Sequence, residues 1–188
     1  MATNPRVTKA LLHPAAKVVL FIAALLPLAW LVFGAFTEAL GANPAEKIIR
    51  STGDWTLRLL CVTLAVTPLR QISGVAALAR FRRMLGVFTF FYASLHLLAY
   101  SWLDKALQIP DIAHDIAKRP FILVGFATWA LMAPLAATSF NRAIKALGAA
   151  RWQALHKLVY VLALLALLHF FWMRAGKHNF TEVAVYAA

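Results

Sequence analysis

The run WQALHKLVYVLALLALLHFFWM at residues 152–173 constrains the chain more than any other stretch. It is long enough to cross about 30 Å of hydrocarbon as a helix. Lipid offers no water to backbone N–H and C=O groups, so a spanning segment must satisfy them within itself, as a helix does. Four further apolar runs precede it, at residues 18–36, 55–69, 84–103 and 121–138. Composition agrees: 62% of the 188 residues are hydrophobic and the mean hydropathy is +0.73, too apolar for a surface in contact with water on all sides. The expected fold is an all-α integral membrane protein, a bundle of five transmembrane helices forming one domain over residues 1–188.

The formal net charge of +12 would point to nucleic acid in a soluble protein. Here the basic residues concentrate in short loops between apolar runs, where they set topology, so no nucleic-acid role is expected. With the N-terminus cytoplasmic, one side collects Arg6, Lys9 and Lys17, then Arg70, Arg80, Arg82 and Arg83, then Arg142, Lys145, Arg151 and Lys157, and none of the seven acids. Glu38, Glu46, Asp54, Asp104, Asp111, Asp115 and Glu182 fall on the opposite side. Positive charge inside therefore orients the first, third and fifth spans outward. The first run is longer than the apolar region of a cleaved signal peptide and lacks a fitting small-x-small site, so it reads as a retained span.

Polar connections are expected at residues 37–53, where Gly41, Asn43 and Pro44 are turn formers, and at 70–83, 104–119 and 139–151. Arg58 near the start of the second span can reach the interface or pair with Asp54. Pro120 suits the first turn of the fourth span, which carries no ionisable side chain and reads as packing. Cys61, the one cysteine, lies in an apolar run; with a single thiol there is no intramolecular disulfide and no Cys-based metal or iron–sulfur cluster. The apolar piece at residues 183–188 is too short to span.

Ionisable residues inside a span are costly and mark function. His96 is late in the outward-running third span and His169 late in the outward-running fifth, so the two share an outer depth and are candidates for one site. His156 lies thirteen residues before His169, roughly 20 Å at about 1.5 Å per residue, near the inner leaflet. A step of thirteen leaves His156 and His169 well apart around an ideal helix. Histidines facing each other from neighbouring helices can take both axial positions of a haem iron, and Phe, Leu and Trp suit the porphyrin. Metal transport would want carboxylates or thiolates at the same depth, and a proton relay would want Asp or Glu. Without CxxCH the haem would be b-type. His156 is either a second station or an interfacial residue beside Lys157, and Arg82 and Arg83 either pair with haem propionates or serve only as topogenic charges. His13, His114 and His178 lie in the arm or loops and read as solvated.

Five stretches carry a recognisable pattern: LLPLAWLVF at residues 25–33, STGDWTLRLL with LAVTPLR within 51–70, RRMLGVFTFFYASLHLLAY at 82–100, KRPFILVGFATWALMAPLAATS at 118–139 and RWQALHKLVYVLALLALLHFFW at 151–172. In them the chain resembles the MsrQ (YedZ) family, the haem-binding membrane subunit of a bacterial periplasmic methionine sulfoxide reductase system, within the ferric-reductase-like transmembrane superfamily that includes NADPH oxidases. The resemblance implies that His96, His156 and His169 are the haem-linked histidines. It also implies a flavin mononucleotide, electrons from the membrane quinol pool or a separate flavin reductase, and delivery to a periplasmic molybdopterin-containing catalytic subunit that reduces methionine sulfoxide in proteins. The place would be the bacterial inner membrane. Family members continue into a sixth span, so either this chain is shortened or its branch works with five.

No GxGxxG follows a strand and no soluble portion is large enough for a nicotinamide, so electrons must enter from a quinol or another protein. The main expectation is a haem-bearing conduit feeding an outer-face reductase. A stand-alone transmembrane ferric or cupric reductase and a haem-free membrane scaffold are the alternatives.

Overall fold

The structure, a computed structural model, describes residues 5–175 and 185–186. The expectations for His178, for Glu182 and for the turn after residue 175 lie outside them. All regular structure among the described residues is helical, and the chain forms two compact units, Met1–Tyr92 and Ala93–Ala188. Four helical segments are long and apolar enough to cross a membrane: Pro14–Phe36, Ala76–Asp104, Pro120–Ala137 and Ala149–Arg174. The run at 55–69 lies inside a longer helix whose first turns carry Glu46, Lys47, Arg50 and Asp54. The architecture is that of an all-α, multi-pass membrane protein.

In the first unit, α1 (Pro5–Leu12) leads into α2 (Pro14–Phe36), α3 (Pro44–Ser73), a 3-10 turn at Ala76–Leu78 and the first part of α4 (Ala79–Ala99). His13 is more than a solvated arm residue: its Nδ1 accepts from Ala15 N at 3.2 Å and caps α2, with Pro14 at the first helical position. Val18, Val19, Ile22, Leu26 and Phe33 are exposed on α2, the surface of a helix whose solvent is lipid.

Pro27 sits inside α2, where it lacks an N–H and disturbs the ladder around it. The Tyr92 hydroxyl fills the gap. It accepts from Leu28 N at 3.2 Å and donates to Ala24 O at 2.7 Å, standing between two groups that an unbroken helix would bond to each other. Tyr92 is fully buried, so those backbone groups depend on it.

Residues 44–53 are helical rather than loop. Asn43 Oδ1 accepts from Glu46 N at 3.1 Å, Pro44 takes the first helical position, and Glu46 pairs with Arg50 at 2.6 Å one turn on. These are start signals that outweigh the turn tendency of Gly41-Ala-Asn-Pro. Arg58 lies over the Trp55 ring at 5.0 Å, and α3 ends at Gly74 with φ 69°, the left-handed cap conformation glycine tolerates.

The second unit begins within α4. A π-turn at Tyr100–Asp104 closes that helix, followed by α5 (Ile109–Lys118), α6 (Pro120–Ala137), α7 (Asn141–Leu147), α8 (Ala149–His156) and α9 (Leu158–Ala175). The expected loops at 104–119 and 139–151 thus contain α5, α7 and the start of α8. In α5, Ile112 and Ile116 share one side and turn it inward, while Asp111, His114 and Lys118 stay exposed. The α6 helix starts at Pro120 as expected and packs along α9 and against α5. The fifth apolar run is two helices. Lys157 N is shared between Gln153 O at 3.1 Å and Ala154 O at 3.3 Å, and Tyr160 N bonds Lys157 O at 3.1 Å, a local tightening that separates α8 from α9.

Candidate functional site

His96 on α4 and His169 on α9 come together in the second unit, with ring centroids 6.2 Å apart and ring planes at 72°. The two histidines expected at one depth are neighbours, edge to face. His169 is held from its far side: Nδ1 lies 2.7 Å from the Phe121 carbonyl oxygen at the start of α6. A carbonyl only accepts, so Nδ1 carries the proton and donates, which leaves the Nε2 lone pair free for a metal. The ring lies against α6 at Gly125, where an added Cβ would stand 2.8 Å from both Cε1 and Nδ1. Gly125 is therefore the space the imidazole occupies.

The same helix fixes the register of α4. Trp129 Nε1 donates to Ser94 Oγ at 3.0 Å, two residues before His96. Thus α6, which looked from sequence like passive packing, touches both helices that carry the pair. A lone glycine in an apolar helix usually has a packing reason, and that was the available signal for Gly125. Nothing in the residue types marked the Phe121 carbonyl, because every residue has one.

His156 ends α8. Its Nε2 is 3.1 Å from Thr138 Oγ1, its ring stacks on Trp152 at 4.0 Å, and Trp152 Nε1 donates to Thr138 O at 2.9 Å. The three residues tie α8 to the end of α6. Arg82 and Arg83 stand exposed near the start of α4, in the first unit, where Arg82 Nη1 donates to Thr67 Oγ1 at 3.2 Å. His114 is exposed on α5.

Beyond the pair, α4 ends in a charged knot. Asp115 on α5 is buried and accepts from Tyr100 Oη at 2.9 Å; Lys105 Nζ lies 2.6 Å from its Oδ2 and Arg119 Nε 3.4 Å from its Oδ1. Lys105, then the Tyr100 hydroxyl and the Arg119 charge, hold the Asp115 carboxyl below the usual carboxylate range, against the opposing effect of burial.

The donor set can be tested against haem. Two imidazoles on opposite sides of one iron, each bound at about 2 Å, put their ring centroids about 6 Å apart. His96 and His169 meet that spacing. Two imidazoles supply two donors, a set that suits a metal whose other ligands come from a macrocycle. The residues fit the group.

Residues 52–167 match the family model described as ferric reductase like transmembrane component. A protein-methionine-sulfoxide reductase heme-binding subunit MsrQ from Polaromonas naphthalenivorans (strain CJ2) is 67% identical over 180 residues, 96% of this chain and 82% of that protein. The chain belongs to the MsrQ family. MsrQ proteins of the same description from Ralstonia nicotianae (strain ATCC BAA-1114 / GMI1000) and Bordetella pertussis (strain Tohama I / ATCC BAA-589 / NCTC 13251) are 53% and 51% identical, covering 93% and 92% of this chain and 80% and 83% of theirs. No solved structure matches the chain. The first sequence expectation, an MsrQ-type membrane protein within the ferric-reductase-like group, is thus met.

Proposed function

We propose that this chain is a b-type haem electron-transfer subunit of the bacterial inner membrane. It takes electrons from the quinol pool or a separate flavin reductase and passes them to a periplasmic molybdopterin-containing methionine sulfoxide reductase that repairs oxidised proteins. The observation that carries the reading is the His96–His169 pair at 6.2 Å, with the Nδ1 proton of His169 committed to Phe121 O. The family membership and the heme-binding description of its relatives support it.

In this reading His96 and His169 hold the iron through their imidazole nitrogens. A haem held there would supply a one-electron carrier. The protein holds the two rings in register through α6 and fixes the tautomer of His169. His156 belongs to the reading as a residue of an inner station, on the strength of the resemblance. The flavin mononucleotide, the quinol donor and the molybdenum-containing partner rest on the same ground.

The test is a spectrum of the detergent-purified protein, oxidised and dithionite-reduced. A low-spin b-type haem is expected, and a colourless preparation from haem-replete cells overturns the proposal. Reconstitution with the partner should couple quinol oxidation to methionine sulfoxide reduction; turnover of ferric ions without any partner would instead favour a stand-alone metal reductase.

A further inference from the structure

The knot around Asp115 lies where the two helices that set the histidine pair come together at one end. Tyr100 follows His96 by four residues, about 6 Å along α4. Arg119 precedes Phe121, whose carbonyl holds His169, by two residues. Asp115 touches both, accepting from Tyr100 at 2.9 Å and pairing with Arg119 at 3.4 Å. One buried carboxylate therefore joins the end of the helix carrying His96 to the beginning of the helix that orients His169.

The backbone at this point is strained. The π-turn is closed by Leu107 N bonding Ser101 O at 2.7 Å and by Ala106 N bonding Trp102 O at 3.0 Å, the latter being the bond of a left-handed helix cap. Glycine normally fills such a cap, yet Ala106 and Leu107 adopt it with φ 46° and 59°. Left-handed conformations are unfavourable for residues that carry a Cβ. They persist where surrounding contacts over-determine them. Lys105, immediately before them, is held to Asp115 at 2.6 Å, so the same carboxylate pins the strained turn.

We propose that Asp115 is a positioning residue for the electron-transfer site: through Tyr100 and Arg119 it sets the spacing and mutual orientation of the His96 and His169 imidazoles. The inference rests on the haem reading above. Its negative charge also offsets Lys105 and Arg119, so its removal makes the surroundings of the site more positive and shifts the haem midpoint potential upward.

The experiment compares wild type with Asp115→Asn and Tyr100→Phe, as purified haem-loaded proteins, by electron paramagnetic resonance of the oxidised iron and by redox titration. The resonance reports the angle between the axial imidazole planes. Altered g-values in both variants, with a raised midpoint in Asp115→Asn and recovery towards wild type in Asp115→Glu, support the proposal. Folded Asp115→Asn protein with wild-type g-values and midpoint overturns it. Should Asp115→Asn aggregate, Tyr100→Phe decides alone, because it removes only the bond to α4; unchanged g-values there overturn the proposal. A wild-type protein without haem would sink the functional reading itself, a result separate from any of these.

Discussion

Gly125→Ala adds one methyl group at the most confined point of the site. Its Cβ would stand 2.8 Å from His169 Cε1 and Nδ1 and 3.3 Å from Nε2, whereas ordinary carbon contacts sit at about 3.5–4.0 Å. The imidazole must retreat by the best part of an ångström or α6 must move away from α9. Retreat strains the 2.7 Å bond to Phe121 O. Overpacking of this kind costs about 1–3 kcal/mol, and at about 1.4 kcal/mol per tenfold this weakens haem retention by roughly 5- to 150-fold. Alanine is also the better helix former, by about 0.5–1 kcal/mol, which offsets part of that cost in the fold. The expected outcome is a folded, monodisperse protein with a lowered haem-to-protein ratio, measured by pyridine haemochrome against total protein. Full haem content with an unchanged spectrum and midpoint would refute the argument that Gly125 is the seat of the His169 ring.

Three more expectations follow from the packing. Tyr92→Phe strands Leu28 N–H and Ala24 C=O at the Pro27 interruption and should lower stability by about 1–3 kcal/mol, read as a drop in thermal midpoint; because Pro27→Ala lets the helix close its own ladder, the double variant should lose less than Tyr92→Phe does. Thr138→Val removes the hydroxyl bonded to His156 and should cost about 1 kcal/mol while leaving the outer haem spectrum intact; loss of that spectrum would contradict the separation of the two histidine stations. Asp115 has a depressed carboxyl pKa when folded, so the stability it contributes is present above its unfolded value of 3.8 and is lost as pH falls from there through the lower folded value. Asp115→Asn should flatten that acid limb in a melting-against-pH series, and an unchanged limb would assign the acid sensitivity elsewhere.

Much of the fold was legible because lipid imposes simple rules: long apolar runs become helices, and the one-sided distribution of basic residues assigns orientation. The His96–His169 pair was legible because each histidine comes late in its apolar run, so position along the helices could be compared. Helices outside the apolar runs were not. The segment at 44–53 looks polar and turn-forming, yet Asn43, Pro44 and the Glu46–Arg50 pair start a helix there. The parts of the site that position rather than bind were also hidden. Phe121 contributes only a carbonyl, Trp129 and Ser94 lie 35 residues apart in sequence, and Asp115 looked like one more outer-face acid until Tyr100, Lys105 and Arg119 were seen to converge on it. His156 shows the opposite limit: its type and depth stood out, but Thr138 and Trp152 as neighbours depend on how α6 and α8 meet.

The pairing of His96 with His169 is tested most directly by the dithionite-reduced minus oxidised difference spectrum of wild type, His96→Ala and His169→Ala, purified in parallel from haem-replete cells and matched for folded protein. Both substitutions should abolish the same low-spin b-type signal. Retention of that full signal in either folded variant would contradict the claim that one iron lies between the two rings.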